Sequence, residues 1–298
     1  MQNEYHPNLQ YFIYKSIILR NLYGVDIMKE AVEIAKLRLF LKLVATVEVD
    51  YRKANLGLEP LPDIDFNIRA GNTLVGFATG KQLEGHILQD TIASTNKGNI
   101  EEKCDVVARS FKRYKEIQLS YGAEFLEFKN AKEELASRFK TLNDELNHLL
   151  HHQATTLDYD EWLHTHQPFH WFAEFYEIIE GNGGFDVVIG NPPYVEYSKV
   201  RKQYVISNYK TLASGNLYGF VFERAIQLID NNSTIGLIVP HSVSATYRAN
   251  DIQKMILDSH REVFLSYFSR RPGKLFDGAD QCLTIAILGK RNIAKYYS

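Results

Sequence analysis

One ten-residue stretch, Phe185-Asp-Val-Val-Ile-Gly-Asn-Pro-Pro-Tyr194, constrains this 298-residue chain more than any other. Its first half is a continuous apolar run after a single acid, the pattern of a parallel strand covered on both faces. Its second half stops that strand with two prolines, which have no N–H for a ladder and a fixed φ. Ligands of open α/β sheets bind beyond the carboxyl ends of strands, where this tetrapeptide falls. Average residue usage gives Asn-Pro-Pro-Tyr odds on the order of one in a thousand in a chain this long.

The rest of the chain alternates in a compatible way. Residues 22–26 read as a strand ending on an acid, and residues 28–44 as a largely buried helix. Residues 66–69 form a short strand closed by Ala70-Gly71-Asn72. Residues 215–230 read as helix, 234–239 as a buried strand ended by Pro240, and 250–258 as helix. Two more strands fall at 263–268 and 283–288. The pattern predicts an α/β fold with a mainly parallel sheet. Between Phe77 and Gly181 no strand pattern occurs, and residues 101–150 are rich in Lys, Glu, Ala and Leu. This stretch reads as an inserted helical subdomain of two or three helices, entered by a loop at 80–98. The expected divisions are 1–77, a helical insertion at 78–180, and 181–298.

The tetrapeptide carries the chemistry. The Asn191 side-chain oxygen beside the rigidly held Pro192 carbonyl offers two acceptors at a fixed spacing, which suits an –NH2 group with its two donors. An amine conjugated to an aromatic ring is a poor nucleophile because its lone pair is delocalised. Two preorganised acceptors favour the tetrahedral form that develops as it attacks, which is electrostatic stabilisation of the oxyanion-hole kind with the sign reversed. Tyr194 supplies a flat face for a planar ring, worth roughly 1–3 kcal/mol. The bland alternative is a Pro-Pro turn with Tyr194 packed inside. Asp26, at a strand's carboxyl end, suits ribose hydroxyls or a helix cap equally. Asn72 could reach a cofactor's edge or close a turn, and Phe276 could stack on a base or fill the core.

Order and content of these motifs resemble a known family. Residues 21–290 are similar to the catalytic domain of the amino-group DNA methyltransferases of restriction–modification systems, in particular the Eco57I-like adenine-N6 family. Asn21-Leu-Tyr-Gly-Val-Asp-Ile27 with Ala31-Val-Glu-Ile-Ala-Lys-Leu-Arg-Leu39 resembles the family's second strand and its helix. Arg69-Ala-Gly-Asn-Thr-Leu-Val75 resembles the next turn. Asn216-Leu-Tyr-Gly-Phe-Val-Phe-Glu-Arg-Ala225 and Ile235-Gly-Leu-Ile-Val-Pro-His-Ser242 resemble the helix and strand after the catalytic loop. Leu275-Phe-Asp-Gly-Ala-Asp-Gln-Cys-Leu-Thr284 resembles the late segment whose aromatic residue holds the extruded base. The resemblance implies a partial Rossmann-like methyltransferase fold, S-adenosylmethionine as cofactor, double-stranded DNA as partner and the N6 amine of a flipped adenine as acceptor. It implies Asn191, Pro192, Pro193 and Tyr194 as catalytic, and Asp26, Ile27, Asn72 and Asn191 as cofactor-binding. Tyr194 and Phe276 would stack on the base, with no metal.

One family feature is missing. These enzymes place a glycine-rich strand-to-helix turn, which cradles the methionine part of the cofactor, before the acid matching Asp26. Residues 11–20 contain no glycine, and Gly181-Asn-Gly-Gly184 leads into a strand instead of opening a helix. The expectation is a partial domain, inactive alone, whose cofactor loop comes from a missing N-terminal segment or a second subunit. In this fold the absent strand lies between those ending at Asp26 and Gly190. An empty slot would leave buried backbone unpaired, so another segment, another chain or a direct re-pairing is expected to fill it.

Composition adds exclusions. Residues 195–298 carry 14 Lys+Arg against 8 Asp+Glu, while the first 194 carry 20 against 28. A basic C-terminal third would attract a polyanion, although charge alone favours an ordinary solvated surface. No apolar stretch reaches the roughly 18–20 residues of a membrane span, no secretory signal opens the chain, and two cysteines make no disulfide framework. The chain reads as soluble and cytoplasmic. His148, His151 and His152 at helical spacing, with His166 and His170, suggest ligands, but no cysteine lies near. Pro62-Asp63 with Glu101-Glu-Lys103 fits a nuclease pattern only loosely. Two rivals remain: a glutamine-amide methyltransferase, which shares Asn-Pro-Pro-Tyr, and an inert DNA- or partner-binding remnant.

Overall fold

The computed structural model describes residues 8–52, 54–89, 97–120, 124–154, 157–259, 261–271, 273–277 and 281–291. In chain order its elements begin with α1 (Leu9–Asn21), β1 (Gly24–Asp26), α2 (Lys29–Val44), β2 (Ile68–Ala70) and α3 (Gly80–Gln89). Then come α4 (Lys97–Leu119), α5 (Phe125–Ala154), α6 (Tyr159–His166), α7 (Trp171–Glu174), β3 (Phe185–Gly190) and α8 (Tyr197–Val200). The last are α9 (Leu217–Gln227), β4 (Ile229–Pro240), α10 (Ser242–Ala245), α11 (Asn250–Asp258), β5 (Arg261–Phe268) and β6 (Leu283–Arg291). They sort into two compact units, Met1–Thr73 with Thr95–His148, and Leu74–Ser94 with Leu149–Ser298.

The first unit is built on two parallel strands. Gly24, Val25 and Asp26 pair with Ile68, Arg69 and Ala70. The buried Asn67 amide donates to the carbonyls of Leu19 (3.0 Å) and Leu22 (3.1 Å), satisfying the open end of α1 before β1. Ile18, Leu19, Val32, Leu43, Ile64 and Ile68 form one core. Phe66 stacks on Phe139 of α5 at 5.6 Å, which anchors the long helices. The helix expected at 28–44 is present, but it is not largely buried. Val32 and Leu43 are covered, whereas Ile34, Leu37 and Leu41 are exposed. A sheet of two strands is too narrow to cover a helix that is apolar nearly all round. The expected loop at 80–98 instead contains α3, and α4 and α5 are the two longest helices among the described residues.

The second unit holds a four-stranded sheet in the order β3-β4-β6-β5. Only β3 and β4 run parallel; β6 is antiparallel to both of its neighbours. The expected mainly parallel Rossmann-like sheet is therefore not what forms: among the described residues the fold is mixed α/β, with 56% helix and two small sheets. Among the described residues no helix separates β5 from β6, and without a crossover helix neighbouring strands pair antiparallel. One face of the sheet is closed. Ile235, Leu237, Val239, Ala286 and Leu288 pack on Phe222 of α9 and Ile252 of α11.

The alternating side chains on the other face stay open. Val187 is 60% exposed and Ile189 80%, with Phe264 and Ile287 also exposed. The double-sided burial expected of residues 185–189 is thus corrected: one layer of helices covers this sheet among the described residues. Of the three ways in which the slot of the absent strand was expected to be filled, direct re-pairing is not seen among the described residues. Among the described residues β1 pairs only with β2 and β3 only with β4.

Entry into β3 depends on two glycines. Gly183 (φ +83°) and Gly184 (φ +134°) turn the chain out of the π-helical turn Glu177–Gly181, and the Gly184 N–H donates to the Ile178 carbonyl at 2.8 Å. A Cβ on Gly184 would sit 2.7 Å from the Leu228 carbonyl oxygen and 2.8 Å from the Ile229 carbonyl carbon. That backbone has nowhere to go. Gly184→Ala should lower stability by about 2–4 kcal/mol in urea unfolding, combining strain at positive φ with the clash. Gly85→Ala on α3, where a Cβ meets nothing within 4 Å, should gain roughly 0.5–1 kcal/mol.

A second test concerns pH. His170 is fully buried, stacks on Phe77 at 5.2 Å and accepts the Phe77 N–H through Nδ1 at 3.2 Å. Burial first, then the charges of Arg224 and His86, lower its pKa from 6.5 to about 3. The unfolded imidazole takes a proton below about pH 6.5 while the folded one stays neutral. Stability is therefore complete above that pH and is lost on acidification, at roughly 1.4 kcal/mol per unit. His170→Gln, whose amide oxygen can still accept the Phe77 N–H, should flatten the fall of the unfolding midpoint between pH 6.5 and 4.5.

Candidate functional site

The loop after β3 begins where the ladder must end, because Pro192 and Pro193 bring no N–H. Asn191 and Pro193 are exposed, Pro192 is buried and Tyr194 is half-buried. The Tyr194 hydroxyl lies 2.6 Å from the Asn191 Oδ1 and 3.1 Å from the Ile238 carbonyl oxygen of β4. It has one proton, and the shorter distance marks Asn191 as its principal acceptor. Partial burial raises the Tyr194 pKa, which keeps that proton in place. A carboxamide oxygen accepts along two lone pairs, so one direction on Asn191 stays open at the exposed end of the strand. No donor among the described residues reaches the Pro192 carbonyl. Beyond the loop, Leu217 N–H donates to Val195 O (3.0 Å) and Tyr197 N–H to Gly215 O (2.8 Å), tying its exit to the start of α9.

In the other unit Asp26 and Asn72 follow the ends of paired strands. The Gly71 N–H donates to the Asp26 carbonyl at 2.9 Å. The Asp26 Oδ1 accepts the Met28 N–H at 2.8 Å, an Asx-type turn leading into α2. The helix cap position itself is Met28, so Asp26 is not the N-cap. Its second oxygen faces solvent, Ile27 is exposed, and Asn72 is only 3% exposed. Phe276, 40% exposed between β5 and β6, is not a core side chain, and no ring contact among the described residues joins it to Tyr194.

Other sequence candidates resolve into ordinary packing. The His166 Nδ1 donates to the Trp162 carbonyl at 3.2 Å, and its Nε2 accepts the Val205 N–H at 3.0 Å. Burial lowers its pKa, in keeping with that neutral tautomer. The His151 Nε2 meets the Leu157 carbonyl at 2.8 Å. No cluster of three metal-ligating side chains occurs among the described residues. Glu101 and Lys103 lie on α4 and pair with Lys97 (3.4 Å) and Glu145 (2.7 Å). Asp63 pairs with Lys132, so the loose nuclease pattern is a set of salt bridges.

Sequence reasoning passed over two buried charges on α9. The Glu223 carboxylate accepts the N–H of Lys210 (3.0 Å) and the N–H and hydroxyl of Thr211 (both 2.9 Å). Arg224 donates to the carbonyls of Leu74 (3.3 Å) and Gly76 (3.1 Å). The signal was present: an adjacent acid and base interrupt an otherwise apolar helix, Leu217–Gln227. Charges in such a place need partners or a purpose.

The model of a family described as Eco57I restriction-modification methylase matches residues 20–273. A Methanocaldococcus jannaschii protein, provisionally named a type II restriction enzyme and methyltransferase, is 29% identical over 323 residues. That alignment covers 92% of this chain and 26% of the relative, so the chain spans about a quarter of its length. No helix of the described residues is long and apolar enough to cross a membrane.

Proposed function

The chain belongs to the Eco57I restriction-modification methylase family, and we propose that it forms catalytic machinery for methylating the N6 amine of an adenine flipped out of double-stranded DNA. The observation that carries this reading is the Tyr194 hydroxyl fixing the Asn191 amide oxygen at the exposed end of β3, beside the free Pro192 carbonyl. Asn191 Oδ1 and the Pro192 carbonyl each accept one hydrogen of the amine. Both bonds strengthen as nitrogen becomes tetrahedral and its protons more acidic, so the stabilisation falls mainly on the transition state. The proton lost after methylation goes to water, since the methylated ammonium is a strong acid. Pro193 keeps the turn rigid. The Tyr194 ring and the exposed Phe276 offer faces for the unstacked base.

S-adenosylmethionine, the cofactor in this reading, supplies the methyl group on a sulfonium leaving group. The residues at the ends of β1 and β2 fit its nucleoside part. The solvent-facing oxygen of Asp26 suits two ribose hydroxyls, Ile27 offers an apolar surface, and Asn72 lies next to the Gly71 that bonds Asp26. The methionine part calls for a glycine-rich turn opening a helix, whereas Gly183 and Gly184 open a strand. A further segment or a second subunit would supply that turn.

In the full-length enzyme, Asn191→Ala should cut methyl transfer to a double-stranded oligonucleotide by roughly 10²–10³-fold while cofactor binding persists. Tyr194→Phe keeps the ring but frees the Asn191 oxygen, and kcat should fall roughly tenfold with little change in KM for DNA. Full activity in Asn191→Ala, or transfer to a glutamine amide instead of DNA, would overturn the assignment. Calorimetric titration of S-adenosylmethionine into this chain alone should show binding weaker than about 100 μM. Micromolar binding would show that the 298 residues already hold a complete cofactor site.

A further inference from the structure

The second unit contains a cavity of about 650 Å³ lined by neither Asn191 nor Tyr194. Arg224, Lys81, His86 and His166 line it, and no carboxylate does. Arg224 is 3% exposed, and its terminal nitrogens are held by neutral groups: the side-chain oxygens of Gln82 (3.3 Å) and Gln227 (3.1 Å) and the two backbone carbonyls given above. Among the described residues no carboxylate pairs with it, and the neighbouring Glu223 is turned to Lys210 and Thr211. Among the described residues its Nε–H has no acceptor, and neither does the indole N–H of Trp162, another buried wall residue.

A buried guanidinium with no counter-charge is costly, and a buried donor without an acceptor adds to the cost. Both costs fall if an anion enters. The remaining wall is aromatic and apolar, with Phe77, Trp162 and Tyr209 among its residues, so it also suits a flat ring. We propose that this cavity is a second ligand site, taking an anionic planar molecule of the nucleoside monophosphate class. Arg224 and Lys81 face the phosphate, and the aromatic wall takes the base. The site is separate from the proposed methyl-transfer residues, and its proof or failure does not depend on them.

The chain has two tryptophans, so Trp171→Phe leaves Trp162 as a reporter in the cavity wall. In that background adenosine 5′-monophosphate should quench Trp162 emission saturably, at about 1 mM or below. Adenosine and inorganic phosphate should each bind at least about tenfold more weakly, since each carries only half of the recognised chemistry. Arg224→Gln would also release Leu74 and Gly76, so the exposed Lys81 carries the mutational test. Lys81→Gln should weaken the nucleotide about fivefold with an unchanged unfolding midpoint. Absence of saturable quenching at about 10 mM nucleotide, or equal binding of adenosine, would overturn the proposal. Displacement by excess S-adenosylmethionine would do the same, because the nucleotide would then be reading the cofactor site.

Discussion

A single phenolic hydroxyl ties the loop after β3 to the neighbouring strand. Tyr194 reaches Asn191 on one side and the Ile238 carbonyl on the other, so the loop's direction is set by β4 as much as by its own prolines. β3 and β4 in turn keep their parallel register because Gly184 can lie against the backbone of Leu228 and Ile229. The sequence of dependence runs from a glycine, through a strand pair, to one amide oxygen. Each member is small, and each is replaceable by almost nothing else.

The loop and its strand were readable from residue types because their constraints are local. Prolines end a ladder, an apolar run makes a strand, and the helix at Asn250–Asp258 shows its period plainly. What depended on distant partners was not readable. Strand β4 starts at Ile229, whereas the sequence pattern puts helix through residue 230 and the strand only at 234–239. Arg261 holds that stretch in place by donating to the carbonyls of Asp230, Ser233 (2.6 Å) and Gly289 (2.9 Å). Strand direction was equally hidden. Leu283–Arg291 has the same apolar pattern whether it runs with β4 or against it, and only the lack of an intervening helix gives the answer.

The candidate site divides along the same line. Asn191 stood out because it ends an apolar strand before two prolines, whereas Asp26 left a local role equally open, and its carboxylate closes a turn on Met28. That the Asn191 oxygen shares itself with Tyr194 required coordinates, since the two side chains meet only after the Pro-Pro turn folds back. Phe276 shows the opposite case: composition favoured a core position, and the loop between β5 and β6 leaves it exposed. Glu223 and Arg224 belong with Tyr194. They stand next to each other in the chain but point to different tasks, one fastening the Lys210–Ser214 turn and the other the segment around Gly76.

The bare edge of β3 has a consequence for the molecule in solution. Among the described residues no strand pairs with its outer side, the side chains of Val187 and Ile189 are exposed, and the strand carries no lysine to repel a newcomer. Such an edge is a template: an extended apolar segment from any crowded neighbour can continue the ladder and hide the greasy face in the same event. The prolines that follow begin two residues past Gly190, and because neither carries an N–H they end any ladder there.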